Sequence, residues 1–372
     1  MILRRLRNIE KKDNILALFI IIVVIIILPS TILINYLGPF NKNFYYDPNY
    51  SDDLGQSLHS ASNISIGVAY SAFHSKYNQK FRNIAAHHFN SLTPENAMKM
   101  SFLWPARDIY SWSEADLIVD FAKRINATVH GHTLVWHSQI PQWVYSYSGT
   151  TEDWNDLLKT YVQTVVRHFK GKVQSWDVVN EAFDDDSFRD TIWYEKLGPS
   201  YVVDAFRWVR EVDPDAKLYY NDYGLCDDLN KLDYVLDFIN TSILDGVPID
   251  GIGFQAHVEY NDPDNNTLIN AMNRVKALNI DLRISEFDVR MNDDGNYNTF
   301  TYELAQFQKE YIEDFINIVL NYSKTTGITV WGVSDAESWH RMGGNLDWPL
   351  LFDENYRPKP AAFGFLNALM DN

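Results

Sequence analysis

Two glutamates each close an apolar run: Glu181 follows Val178, Val179 and Asn180, and Glu286 follows Leu282, Ile284 and Ser285. A lone carboxylate in such a place is more often a structural hydrogen-bond or ion-pair partner than a catalyst. Two of them in matching settings can divide labour. One, held protonated, delivers a proton to a leaving oxygen, while the other, ionised, attacks carbon or activates water. Burial and a neighbouring negative charge raise the first pKa, and hydrogen bonds keep the second group ionised. Cleavage of a glycosidic bond needs such a pair. His132 and His137 are near enough in sequence to suggest a metal pair, but no Glu or Cys completes a ligand set at helical spacing, so no metal is expected.

The elements that must position these residues alternate along the chain. Strands are expected near Ile64–Val68, Asn90–Leu92, Thr128–His132, Val173–Val179, Leu218–Tyr220, Gly251–Gln255, Leu282–Ser285 and Thr329–Gly332. Amphipathic runs lie between them. Leu157, Leu158, Tyr161, Val162, Val165 and Val166 recur at helical spacing to Phe169, with Gly171 just beyond as a stop. Similar patterns occupy Tyr201–Val212, Leu232–Leu244, Leu268–Leu278 and Phe300–Tyr322. About eight alternations predict an α/β fold, a (β/α)8 TIM barrel. A doubly wound open sheet is the alternative, weakened because no Gly-rich phosphate loop follows any strand. In a barrel the site lies where the strands end, and polar residues cluster there: HGHTLVWHSQ, WDVVNE, YNDYG, GFQAHV, RISEFDV and VWGVSDAESW.

A net charge of -17 argues against a nucleic-acid partner, and 15% aromatic residues suit a neutral ligand with apolar faces, although an aromatic core has the same composition. Cys226 is the only cysteine, which excludes an intramolecular disulfide and a thiolate metal site. It reads as a small buried hydrophobe.

Arg4, Arg5, Arg7, Lys11 and Lys12 precede an apolar run from Ile15 to Leu28 that continues beyond Pro29. At about 1.5 Å per residue it can cross a hydrocarbon core of roughly 30 Å, and no small-residue cleavage site follows. The expected organisation is a short cytoplasmic segment (1–14), a transmembrane signal anchor (15–37), a turn-rich linker (38–60) and a catalytic domain (61–372) facing the extracellular or lumenal side. Secretion after signal cleavage is the alternative. Asn-x-Ser/Thr triplets at Asn49, Asn63, Asn126, Asn240, Asn265 and Asn321 fit a glycoprotein on that side.

The motifs TPENAMKM, HGHTLVWHSQIPQWV, WDVVNEAF, YNDY, GVPIDGIGFQAHV, RISEFDVRM, VWGVSDAESW and PLLFDENYRPKPAAFGF occur in this order. The chain from about residue 63 to 370 thereby resembles family 10 glycoside hydrolases, the endo-β-1,4-xylanases. The resemblance implies hydrolysis of the xylan backbone with retention, through a covalent glycosyl-enzyme intermediate. Glu181 would be the acid/base and Glu286 the nucleophile, with carboxyls about 5 to 5.5 Å apart. Asn180 would bond the sugar 2-hydroxyl, His257 and Asp288 would hold the nucleophile, and Gln255 would lie near the acid/base. Glu95, Asn96, Lys99, His132, Trp136 and Gln139 would line the glycone side, Trp331 and Trp339 would wall the site, and Tyr223 would line the aglycone side. No cofactor is implied, and the partners would be xylan or xylo-oligosaccharides and, through the anchor, a membrane, with a monomeric catalytic domain.

Met100 stands where the family has a tryptophan, and Trp104 and Asp108 stand where it has Glu and Gly, changes expected to alter packing or the outermost glycone contacts. A silent, tethered sugar-binding protein would normally have lost one of the two glutamates, and both are present. A β-1,4-glucanase is disfavoured by the glycone-side motifs.

Overall fold

The structure, a computed structural model, describes residues 45–372. Among these residues nine strands form one parallel system: β1 Ser65–Tyr70, β2 Ser91–Pro94, β3 Thr128–Gly131, β4 Ser175–Asn180, β5 Lys217–Asp222, β6 Gly251–Phe254, β7 His257–Glu259, β8 Asp281–Arg290 and β9 Thr325–Val330. Pairing runs β6-β5-β4-β3-β2-β1-β9-β8, and a β6–β8 pairing closes the ring, with β7 added beside the end of β8. Eight parallel strands thus close a barrel, and helices between them cover its outside. This is the expected (β/α)8 arrangement, and closure removes the open-sheet alternative.

The strands are short, apolar and buried because helices cover one face and the barrel interior the other. The helix Thr151–Phe169 shows how local sequence sets the outer layer. Thr150 Oγ1 accepts from Asp153 N at 3.2 Å, while Asp153 Oδ2 accepts from Thr150 N at 2.7 Å, a reciprocal cap. Trp154, Leu158, Tyr161, Val162, Val165, Val166 and Phe169 form its buried face, and Gly171 follows at φ +73°. The cap sets the start six residues before Leu157, because Trp154 is the only buried residue of the first turns.

Near the strand starts the barrel interior is filled by Arg283. Its Nη2 donates to Thr329 Oγ1 at 2.9 Å and to Ser91 Oγ at 3.4 Å. Glycine at 327 makes room for it, since a Cβ there would lie 2.8 Å from Arg283 Nη1. Gly131 has a similar reason: a Cβ would fall 2.1 Å from the Trp176 ring.

Two expectations change. The segment from Tyr45 to Ser60, expected to be part of the linker, packs on the barrel. Tyr45 O accepts from Arg82 Nε at 2.7 Å, Asp52 Oδ2 lies 2.8 Å from His88 Nε2, and Leu54 and Leu58 are buried. Isolated apolar residues in a polar stretch give no periodic signal, so the packing was not legible. Strand β8 also runs on to Arg290, five residues past its expected end, so Glu286 lies inside the strand. Among the described residues no helix is long and apolar enough to cross a membrane. The segments expected as cytoplasmic (1–14) and anchor (15–37) lie outside the described residues.

Candidate active site

The strand ends open into a cleft of about 500 Å³ that Glu181 and Glu286 both line. Glu181 follows β4 at φ +56°, a left-handed conformation uncommon outside glycine. Its Oε2 accepts from Trp136 Nε1 at 2.8 Å, and its Oε1 accepts from Gln255 Nε2 at 2.8 Å and Asn180 Nδ2 at 3.1 Å. His137 Nδ1 stands 3.7 Å from Oε2, which places this histidine beside the carboxyl rather than in a metal pair with His132.

Glu286 is buried. Its Oε1 accepts from Asn221 Nδ2 at 2.8 Å, and His257 Nε2 lies 3.3 Å from Oε2. Asn221 Nδ2 also donates to Asn180 Oδ1 at 2.8 Å, and its Oδ1 accepts from Ser285 Oγ at 2.6 Å. A run of amide hydrogen bonds, Glu181–Asn180–Asn221–Glu286, therefore joins the two carboxyls. Behind Glu286, His257 Nδ1 is 2.9 Å from Asp288 Oδ2, which also accepts from Trp339 Nε1 at 3.0 Å. His340 Nε2 is 3.0 Å from Asp288 Oδ1. Below the cleft His132 Nδ1 is 2.9 Å from Asp177 Oδ2.

Burial alone would raise the Glu286 carboxyl, but the neighbouring His132 and His257 outweigh it and lower its pKa, so the group stays ionised. Burial would also raise Asp288, and His257 and His340 instead hold it well below the usual carboxylate range. For His257 burial acts downward, yet Asp288 and Glu286 raise it to about 10. A histidine raised on folding contributes stability that is whole below its unfolded value of ~6.5 and fades as the pH climbs through about 10. The unfolding midpoint is expected to fall across that alkaline window. His257→Gln should flatten the fall, and an unchanged slope in the variant would refute the assignment.

Glu95, Asn96, Lys99, His132, Trp136, Gln139, Asn180, Tyr223, Gln255, His257, Trp331 and Trp339 line the same cleft, as the motifs implied. Asp288 does not line it and is bonded to two residues that do, His257 and Trp339. Asn96 Oδ1 accepts from Lys99 Nζ at 3.2 Å and Gln139 Nε2 at 3.3 Å, and Lys99 Nζ lies 4.9 Å from the Trp136 ring centroid. Trp339 and Tyr223 are exposed to 43% and 41%, so part of each ring is open to the cleft, whereas Trp331 is buried. His257–Asp288–His340 and His132–Asp177–Glu286 have the ligand types a metal ion takes. In the first the histidines already bond Asp288, and in the second His132 bonds Asp177 while Glu286 is held by Asn221 and His257.

The model of Glycosyl hydrolase family 10 matches residues 54–368. The chain belongs to this family. It is 39% identical over 292 residues to a β-1,4-xylanase of Dictyoglomus thermophilum, across 76% of this chain and 82% of that protein. Endo-1,4-beta-xylanase B of Thermotoga neapolitana is 37% identical, across 77% of this chain and 82% of that one. Among solved structures, xylanase 10B from Thermotoga petrophila RKU-1 in complex with xylobiose is similar at a TM-score of 0.80 and 38% identity, covering 85% of this chain and 97% of that one. A mutant of Xylanase10C from Cellvibrio japonicus in complex with xylopentaose matches at 0.82 and 35%, covering 87% and 70%.

Within the family 10 barrel, none of the departures from the motif pattern lines the cleft. Met100 and Trp104 are buried and neither lines it. Trp104 packs on Trp143, Tyr161 and Tyr110 with ring centroids 4.5, 5.0 and 5.9 Å away, so it is core and makes no glycone contact. Asp108 sits in a turn at φ +62°, a conformation that favours glycine. Residues not anticipated are Asn221, His340 and Asp177 in the supporting network, and Gly224, Asp227 and Met342 in the lining. Asn221 had a signal: it stands two residues before Tyr223, and alternate strand residues share a face. Met342 had none, because it stands in an irregular loop after Trp339.

Proposed function

We propose that this chain is a retaining endo-1,4-β-xylanase in which Glu181 is the acid/base and Glu286 the nucleophile. The observation that carries the reading is one cleft holding both carboxyls, joined through Asn180 and Asn221 and walled by indole and phenol rings. Glu286, ionised, attacks the anomeric carbon as the bond to the leaving oxygen breaks. Glu181 gives that oxygen its proton. The carboxylate left behind then takes a proton from water, whose oxygen displaces Glu286 from the sugar. Two inversions give net retention. Asn180 is placed to donate to a 2-hydroxyl, a contact that gains strength as positive charge builds at the anomeric carbon. The names of the relatives and the xylobiose and xylopentaose in two similar structures support xylan as the polymer.

The test is reducing-sugar release by residues 40–372 from arabinoxylan, glucuronoxylan and carboxymethylcellulose. Release from the xylans alone is expected. Preference for the cellulose derivative would make the enzyme a glucanase, and binding of xylo-oligosaccharides without release would make it a sugar-binding protein. We further propose that residues 15–37 anchor the catalytic domain on the far side of a membrane, a reading supported by the apolar run and the Arg and Lys before it. The full chain should then stay in the membrane fraction after alkaline carbonate washing. Recovery of a shortened chain in the medium would establish a cleaved signal instead.

A further inference from the structure

Asp222 closes β5 with no exposure and does not line the cleft, yet its hydrogen bonds lead to residues that do. Its Oδ1 accepts from Lys231 Nζ at 2.8 Å and from Tyr223 N at 2.9 Å. Its Oδ2 accepts from the Tyr220 hydroxyl, and the same hydroxyl oxygen accepts from Ala182 N at 3.0 Å. Its backbone carbonyl accepts from Gln255 N at 3.0 Å, and the Gln255 side chain holds Glu181 Oε1. Lys231, itself buried, extends from the helix Leu229–Leu244 and places Nζ 3.7 Å from the Tyr223 ring centroid. These links converge on the acid/base: one holds the amide that follows Glu181, a second reaches its carboxyl through the Gln255 side chain, and a third meets the Tyr223 ring that lines the same cleft.

We propose that Asp222, with Lys231 and Tyr220, is a positioning device that holds the Glu181 carboxyl in its proton-delivering place and ties it to the Tyr223 ring. The inference rests on the reading of Glu181 as acid/base. The need for such a device is visible in the backbone. Glu181 adopts φ +56°, which a non-glycine residue keeps only where its surroundings over-determine it. Here Glu181 N donates to Asn221 O at 2.9 Å, Arg189 Nε donates to Glu181 O at 3.2 Å, and Tyr220 fixes the next amide. Arg189 Nη2 also donates to the Tyr223 hydroxyl at 2.6 Å, so the ring and the Glu181 backbone share this guanidinium. A buried ion pair adds little net stability compared with a packed apolar pair, which makes geometry the better reason for Asp222 and Lys231. Glu286 hangs on Asn221 and His257, and its carboxyl accepts no bond from Asp222, Lys231 or Tyr220.

The two roles separate by leaving group. Proton delivery governs cleavage of a sugar leaving group, whereas a dinitrophenolate departs without a proton. In the full chain, Asp222→Asn is expected to lower kcat/KM on unactivated xylo-oligosaccharides by ~10²-fold, the scale of a 1 Å misplacement, and on dinitrophenyl xylobioside by less than ~5-fold. Tyr220→Phe deletes one hydroxyl and should move the same ratio by ~10-fold, and it decides the matter if Asp222→Asn does not fold. Equal losses on the two substrates, or no loss on either, would overturn the proposal. Glu181→Ala is measured beside them. If it too loses both equally, the acid/base reading fails and takes the positioning role with it. If it discriminates and the two variants do not, the positioning role alone falls.

Discussion

Glu286→Ala is expected to lower kcat by at least ~10⁴-fold on xylan and on activated aryl xylosides alike. Both substrates must pass through attack on the anomeric carbon, and the carboxyls of its network are otherwise engaged: Glu181 by Trp136, Gln255 and Asn180, and Asp288 by His257, His340 and Trp339. Loss of the side chain leaves the His257 imidazolium beside a cavity, so the variant should still fold and bind xylo-oligosaccharides. Turnover by stopped assay together with oligosaccharide binding by calorimetry separates these effects. Residual turnover within a hundredfold of the parent, free of contaminating enzyme, would show that another group attacks.

Glu181→Ala is expected to behave differently. On xylan the loss should be ~10²–10⁴-fold, the usual worth of a placed general acid. With a dinitrophenyl leaving group the first step should keep most of its rate, and the second should become limiting because no base activates water. A burst of phenolate followed by slow turnover is the signature, and azide, which needs no base, should restore the second step. Equal losses for both leaving groups in the first step would remove Glu181 from the acid role.

Much of this site was legible before the fold was known, for identifiable reasons. Glu181 and Glu286 each interrupt an apolar run, and in a parallel barrel such a run must approach the mouth. Asp288 was implied by the resemblance of RISEFDVRM alone, and that it shares a face with Glu286 follows only because β8 continues past Ser285. The limits were just as physical. Strand β8 looked shorter than it is because Glu286 and Asp288 are polar, and a strand buried on both faces carries no alternation by which to extend it. Trp104 was open to packing or to an outer glycone contact, and its ring stacks on Tyr161. That contact joins positions 57 residues apart, and nothing local predicts it. Leu54 and Leu58 anchor the segment before the barrel by the same kind of distant packing.

Three residues beside the reacting groups, Gln139, Glu181 and Ala256, hold positive φ without being glycine. Each carries about 1–2 kcal/mol of backbone strain. For Ala256, between Gln255 and His257, glycine would relieve that cost while loosening the two side chains that grip the carboxyls. For Glu181 the relief would delete the carboxyl itself. Thermostability engineering of this barrel therefore meets a trade-off at its rim, and the gains that leave catalysis alone are to be sought in the helical shell.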